Sequence, residues 1–143
     1  MRAGVLVGIG FVAAVDEIVF HQLLGWHHFY DRSTPMVGLI SDGILHAAEL
    51  ICLAAGVMAL LNLQRNATLT MQPVIAGYFL GMGGFQLFDG IINHKVLRIH
   101  QIRYGVNVLP YDVIWIAVAL ALLGVGILLA RRCYSVKTTN NDF

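Results

Sequence analysis

The most constraining feature of the chain is an unbroken apolar run, VIWIAVALALLGVGILLA, at residues 113–130. A helix that crosses a membrane needs about 20 mostly apolar residues. Segments of similar length and composition occur at about 4–26, 37–62 and 74–97. Of the 143 residues, 58% are hydrophobic, above the share in a soluble domain, and only 12% are charged. We therefore predict an all-α integral membrane protein, a bundle of four transmembrane helices, with the fourth at about 111–130.

Ionisable residues interrupt the first three apolar segments. The first segment has 13 uncharged residues, 3–15, before Asp16. At 1.5 Å per residue they span about 20 Å, less than the hydrocarbon core of about 30 Å. The first helix can therefore cross the membrane only if Asp16 and His21 lie inside it, and ionisable residues in that position are functional candidates. The same reasoning places five more residues inside helices 2 and 3: Asp42, His46, Glu49, Asp89 and His94.

The polar part of helix 1 is repeated later in the chain. DEIVFHQLLGWH, residues 16–27, and DGIINHKVLRIH, residues 89–100, both follow the pattern D-x4-H-x5-H, at an offset of 73. Asp42 and Asp112 open the next helices at an offset of 70. Two spans per repeat predict parallel tandem helical hairpins, related by an axis along the membrane normal. The predicted units are repeat 1 at about 4–63, repeat 2 at about 74–131 and a polar tail at 132–143.

Helix 2 carries a polar stripe. Asp42, His46 and Glu49 are spaced i, i+4 and i+7, so they fall on one helix face, which we expect to point to the bundle axis. Helix bundles build metal sites from carboxylates and imidazoles on facing helices. Counting turns puts the ionisable residues of all four helices in the outer half of the bundle. Asp112 is the shallowest, an outer level holds His21, Asp42, His46 and His94, and a level about one to two turns deeper holds Asp16, Glu49 and Asp89. The predicted metal ligands are Asp16, His21, Asp42, His46, Glu49, Asp89 and His94.

Other residues are weaker candidates for the site. Asp16 and His21 are about 140° apart on an ideal helix, so they face different neighbours unless a π-bulge brings them together. Glu17 shares a face with His21, but repeat 2 has Gly90 in its place. We expect three histidines to be solvated at the membrane interface and Asp112 to cap helix 4. The weaker candidates are Glu17, His27, His28, His100 and Asp112.

Imidazole and carboxylate ligands without a thiolate suit zinc or iron first, with manganese and Cu(II) also possible. Seven candidates exceed the needs of one tetrahedral ion. Either some orient the direct ligands, or the site is dinuclear, which points to chemistry. The main prediction is a membrane metalloenzyme with redox or hydrolytic activity and unassigned catalytic residues.

Three alternatives stay open. The protein could bind, deliver or transport metal without catalysis, and transport through so narrow a bundle implies a homo-oligomer. It could carry electrons through haem b, with His21 and His94 as axial ligands. The polar residues could also merely pair and fix helix packing. Nucleic acid is not an expected partner, because the sequence has no basic patch.

The stretches HQLLGWHH, SDGILHA and LFDGIINHKVLRIHQIR resemble an uncharacterised family of small bacterial membrane proteins, domain-of-unknown-function family 2243. The resemblance covers nearly the whole chain. It implies four transmembrane helices in the bacterial inner membrane and a link to factors that assemble respiratory oxidases. One position departs from the family pattern, since Glu17 stands where a glycine is expected. The distribution of basic residues predicts cytoplasmic termini by the positive-inside rule.

Overall fold

The computed structural model describes residues 1–139, with side chains through Cys133. Within these residues, four long apolar helices pack together, and each is long enough to cross a membrane. The predicted all-α membrane bundle is therefore confirmed. The last helix continues into the segment assigned to the polar tail, 132–143, of which residues 140–143 lie outside the described part. The helices are α1 (Arg2–Asp16), α2 (Pro35–Arg65), α3 (Met71–Phe88) and α4 (Leu109–Thr139), with π-helical extensions π1 (Glu17–Leu23) after α1 and π2 (Asp89–Val96) after α3.

Helices α1 and α3 pack against each other, while α2 lies on α1 and α4 lies on α3. Glycines allow the close approach of α1 and α3. A Cβ atom on Gly4 would lie 2.1 Å from the carbonyl oxygen of Val74, and one on Gly77 would lie 2.2 Å from that of Met1. These positions therefore exclude any side chain, as small-residue interfaces between membrane helices do.

The contacts between α1 and α3 follow the internal repeat. Gly8 faces the carbonyl of Tyr78, and Gly81 faces the carbonyl of Val5. Adding the offset of 73 to residues 8 and 5 gives residues 81 and 78, so the two contacts are the same contact seen from either repeat. Such reciprocity is what a two-fold rotation produces. The sequence repeat thus has a counterpart in the packing, while the tandem-hairpin arrangement stays a prediction.

The polar segments after α1 and α3 are wound as π-helices. Backbone hydrogen bonds from Leu24 and Leu97 reach back five residues instead of four. Both segments end in the left-handed region, at Gly25 with φ 56° and at Arg98 with φ 51°. The wider turn brings residues five apart towards one face. The π-helical alternative predicted for the D-x4-H pair is therefore the one that the chain adopts.

Substitution of glycine by alanine should have opposite effects on the two faces of α3. Gly81→Ala should destabilise the fold by about 1–3 kcal/mol, because the added methyl would overlap the α1 backbone. Gly84→Ala is the matched control, since a Cβ there meets nothing within 4 Å. It should stabilise the helix by up to about 1 kcal/mol. Thermal unfolding in detergent measures both, and equal melting temperatures would contradict the α1–α3 contact.

Candidate metal centre

Four histidines from the two repeats meet at the ends of π1 and π2. The ring centroids are 4.4 Å apart for His21 and His27, 4.6 Å for His94 and His100, and 4.7 Å for His27 and His100. The rings of His27 and His100 are stacked, with 11° between their planes. None of the four residues is more than 5% exposed. At the offset of 73, His21 corresponds to His94 and His27 to His100.

Backbone carbonyls hold two of these rings. His27 Nδ1 lies 3.0 Å from the carbonyl oxygen of Ile102, and His100 Nδ1 lies 2.8 Å from that of Phe29. A carbonyl can only accept, so each ring donates its Nδ1–H and keeps the lone pair on Nε2. Residues 29 and 102 are also 73 apart, so each repeat orients the histidine of the other. Metal-binding histidines are commonly oriented by a hydrogen bond of this kind.

The two held histidines are neutral at physiological pH. Burial is the main cause that lowers the pKa of His27 to about 2, and the nearby His21 lowers it further. Burial also lowers the pKa of His100 to about 4, although Asp89 acts in the opposite direction. Both rings are therefore in the form that binds a metal ion.

One aspartate accompanies each histidine pair. Asp16 Oδ2 lies 3.8 Å from His21 Nε2, and Asp89 Oδ2 lies 3.0 Å from His94 Nε2. The other oxygen of Asp89 lies 3.6 Å from His100 Nε2. The His94–Asp89 contact does not have hydrogen-bond geometry, although it is short enough. Ligands at about 2 Å from a common ion lie at such mutual distances.

Among the described residues, three sets could hold an ion, because their ligand atoms lie within 4.8 Å of one another. Two of them share His27 and belong to the histidine cluster, and Asp89 adds its contacts to His94 and His100. The third set lies on the α2 side of His21. The sets are His27–His94–His100, Asp16–His21–His27 and Glu17–His21–Asp42. We call the following six residues the central site: Asp16, His21, His27, Asp89, His94 and His100.

Several polar atoms of the central site lack a hydrogen-bond partner among the side chains described, those of residues 1–133, and the described backbone. Nε2 of all four histidines is among them, with Oδ1 of Asp16 and Oδ2 of Asp89. Each buried polar group left unsatisfied costs about 1–3 kcal/mol. Metal ions would satisfy these atoms together, and the atoms are imidazole nitrogens and carboxylate oxygens, which first-row transition metals accept. The residues present therefore fit a metal.

Asp42 and Glu17 lie behind the central site. Asp42 Oδ1 is 3.1 Å from His21 Nδ1, and Glu17 Oε2 is 2.9 Å from the same nitrogen. Asp42 also accepts the backbone N–H of Phe29 at 2.7 Å and lies 2.6 Å from His28 Nδ1. It therefore ties the segment after π1 to α2 and orients His21. Of the predicted ligands, Asp42 is better placed to support a ligand than to join the six central residues.

The predicted stripe of α2 is only partly directed inward. Asp42 and Glu49 are buried, but the His46 side chain is 49% exposed and pairs with Glu49 at 2.5 Å. Relative to Asp42, His46 lies about 40° to one side of the helix and Glu49 about 20° to the other. Helix α1 packs against the face of α2 that carries Glu49. His46 lies at the edge of this contact and is therefore partly exposed. The expectation that all three point to the bundle axis is therefore wrong for His46.

Repeat 2 lacks the carboxylates that support His21. Gly90 replaces Glu17, and a Cβ there would lie 2.7 Å from the Trp115 ring. Asp112 forms an ion pair with Lys95. Its predicted role as a cap is wrong, because α4 begins at Leu109 and Asp112 lies within its first turn.

The sequence also misplaced two central residues. We expected His27 and His100 to be solvated at the membrane interface, yet they are 5% and 1% exposed. The sequence did contain a signal for their role. Both repeats have a histidine at the third position of D-x4-H-x5-H, although this position lies beyond the end of the membrane span. His28 differs from its neighbour, since its side chain is 34% exposed and contacts Asp42.

A family model described as "Predicted membrane protein (DUF2243)" matches residues 3–133. The resemblance inferred from the three sequence motifs is thus confirmed, and the match includes every residue of the central site. No curated protein and no solved structure matches the chain.

The depressed pKa values predict how the metal-free protein responds to acid. Unfolded histidine takes up a proton near pH 6.5, whereas folded His100 and His27 do so only near pH 4 and 2. At these two positions the unfolded chain therefore binds more protons below pH 6.5, so the stability that the two neutral histidines contribute should fall as the pH falls from 6.5 towards 4. His27→Asn removes one of these groups, so the free energy of unfolding of the variant, relative to that of the wild type, should rise as the pH falls through this range.

Thermal unfolding at a series of pH values measures this dependence, and nitrogen NMR of labelled histidine reports the protonation states. We expect His27 and His100 to remain neutral at pH 5, with the proton on Nδ1. Imidazolium signals from either residue above pH 6 would contradict the described burial.

Proposed function

The chain belongs to the DUF2243 family of predicted membrane proteins, and on that premise we propose that it is an integral membrane metalloprotein whose central site holds two transition metal ions. The observation that supports this best is the set of four buried histidines with unpartnered Nε2 atoms among the described residues. Carbonyl groups of the opposite repeat orient two of these rings. Histidine rings that are held in a fixed orientation, with ring nitrogens that have no hydrogen-bond partner, are typical of a metal site.

Two ions fit the symmetry better than one. The aspartate and the two histidines of repeat 1 correspond to those of repeat 2, which gives two matching sets of two imidazoles and one carboxylate. Such a set suits zinc or iron, with manganese or copper as less favoured occupants. With three protein ligands, each ion would keep a coordination position open.

We further propose that the site is that of an enzyme with redox or hydrolytic activity. Metal ions with an open position can activate water or another small oxygen ligand, and paired ions do so in many hydrolases and oxidoreductases. The chain supplies orientation through the carbonyls of Phe29 and Ile102, and Glu17 and Asp42 hold the His21 ring from behind.

The protein sits in a lipid bilayer, and we propose the bacterial inner membrane with both termini in the cytoplasm. Arg2, Arg65, Arg131 and Arg132 then flank the cytoplasmic ends of the spans, as the positive-inside rule requires. The histidine cluster would lie towards the outer face. Respiratory-oxidase assembly factors and a second copy of the chain are the proposed protein partners.

A second candidate function is metal delivery without catalysis. One observation favours it: a cavity of about 370 Å³ lined by His27, His28, Asp31 and Tyr104 reaches the central site. Through it an ion could enter or leave without unfolding of the bundle. Haem b fits the packing less well, because the His27 ring lies 4.4 Å from His21 and 6.2 Å from His94 and so occupies space that a macrocycle between them would need.

Elemental analysis of purified protein tests the proposal. After expression with iron or zinc, about two equivalents of metal should copurify, one for each set of ligands. His27→Ala should lose at least half of the metal, because His27 belongs to the central site. His28→Ala is the matched control on the adjacent residue and should keep it.

Less than one equivalent of metal in the wild type would refute the proposal, and a Soret band would establish haem instead. Loss of metal from His46→Ala with retention in His27→Ala would place the ion in the α2 stripe. Exchange with a chelator separates the two functions: a resident cofactor should stay bound for hours, and a delivered ion should leave within minutes.

A further inference from the structure

A second cavity, of about 360 Å³, lies between π1 and α2 on the side of the bundle away from α3. The buried Glu17 and Asp42 form its polar floor, and the exposed residues Ile18, Gln22, Leu39 and His46 line its opening. Its volume is in the range of pockets that bind small molecules, which combine apolar walls with a few convergent polar groups. The role proposed for the central site does not use this cavity.

The floor of the cavity touches the central site. Glu17 and Asp42 are buried, and each contacts His21 Nδ1, at 2.9 and 3.1 Å. Gln22 donates to the other carboxylate oxygen of Glu17 at 2.7 Å. A molecule in the cavity would therefore lie one side chain away from a proposed metal ligand.

The opening faces the bilayer. Ile18 is 47% exposed and Leu39 is 55% exposed, and both belong to the membrane-spanning segments. A lipid acyl chain could fill the volume, but it would leave Glu17 Oε2 without a donor, since this oxygen has no hydrogen-bond partner among the described residues. Carboxylates that face hydrocarbon are strongly unfavourable. The cavity therefore calls for an occupant with a polar head and an apolar body.

The corresponding place in repeat 2 is filled. Gly90 stands where Glu17 stands in repeat 1, and the Trp115 ring packs against it. Lys95 and Asp112 pair with each other in this region. The cavity is thus a property of repeat 1 and breaks the symmetry of the bundle beside the central site.

We propose that this cavity binds a lipid-soluble alcohol or phenol, which enters laterally from the bilayer and donates its hydroxyl hydrogen to Glu17 Oε2. Carboxylates only accept hydrogen bonds, so the head group must be a donor. A neutral hydroxyl can cross hydrocarbon, whereas a hydrated cation cannot do so readily. The idea that such a compound is a substrate of the metal site rests on the proposed function. Its binding in the cavity does not depend on that function.

Gly43 offers a way to close the cavity. It lines the cavity, and a Cβ atom there would meet nothing within 4 Å, so Gly43→Leu should fill the space without disturbing the helix contacts. Gly124→Leu in α4 is the matched control, because a Cβ there also meets open space. Leu39→Trp closes the same opening from the rim and serves if Gly43→Leu folds poorly.

The probes are 4-decylphenol and decylbenzene, which differ by one hydroxyl group, with wild-type protein in lipid nanodiscs and native mass spectrometry as the readout. We expect one saturable 4-decylphenol per chain, bound about tenfold tighter than decylbenzene, as one hydrogen bond to a charged acceptor provides. Gly43→Leu or Leu39→Trp should abolish the preference, and Gly124→Leu should keep it.

Equal binding of the two probes, or a preference that survives both closing variants, would overturn the proposal and leave a groove for ordinary lipid. Slower metal loading in Gly43→Leu without any phenol binding would overturn it in favour of a cation path. Metal content measured on the same samples separates the two proposals. Phenol binding without metal would refute only the metal site, and metal without phenol binding would refute only this ligand site.

Discussion

Two hydrogen bonds that cross between the repeats set the geometry of the central site. His27 donates to the carbonyl of Ile102, and His100 donates to that of Phe29. Each bond fixes which nitrogen carries the proton and brings a segment beyond the membrane span back into the bundle. Without them, both rings would be free to turn towards water at the membrane surface. The stacked pair would then no longer close the site above His21.

The packing of α1 against α3 and the π-helical segments bring the residues of the central site together. Glycines such as Gly8 and Gly81 let α1 and α3 touch along their backbones, which brings the two π-helices side by side. The π-helical winding then directs Asp16 and Asp89 towards the histidines five residues later. Burying these groups is unfavourable in a bilayer unless they are paired or bind an ion. The packing of small residues and the burial of polar ones are therefore parts of one arrangement.

Much of this was predictable from the sequence. Apolar length identified the four spans, and D-x4-H-x5-H identified the repeat and several central residues. Local periodicity could not show that His27 and His100 fold back into the bundle, because their placement depends on bonds to residues over 70 positions away. For the same reason the stripe of α2 was read as wholly inward, although the narrow contact with α1 leaves His46 at its edge. The spacing of residues along a helix does not show which distant backbone groups will form hydrogen bonds with their side chains.

X-ray absorption of the metal-loaded protein tests whether the central site holds two metal ions. We expect imidazole nitrogens and carboxylate oxygens at about 2.0–2.2 Å from each ion. We also expect scattering from a second metal at about 3.5–4 Å, as in other two-metal sites. A shell that contains sulfur, or a shell without imidazole, would contradict the central site. A single ion with no metal neighbour would contradict its occupation by two ions.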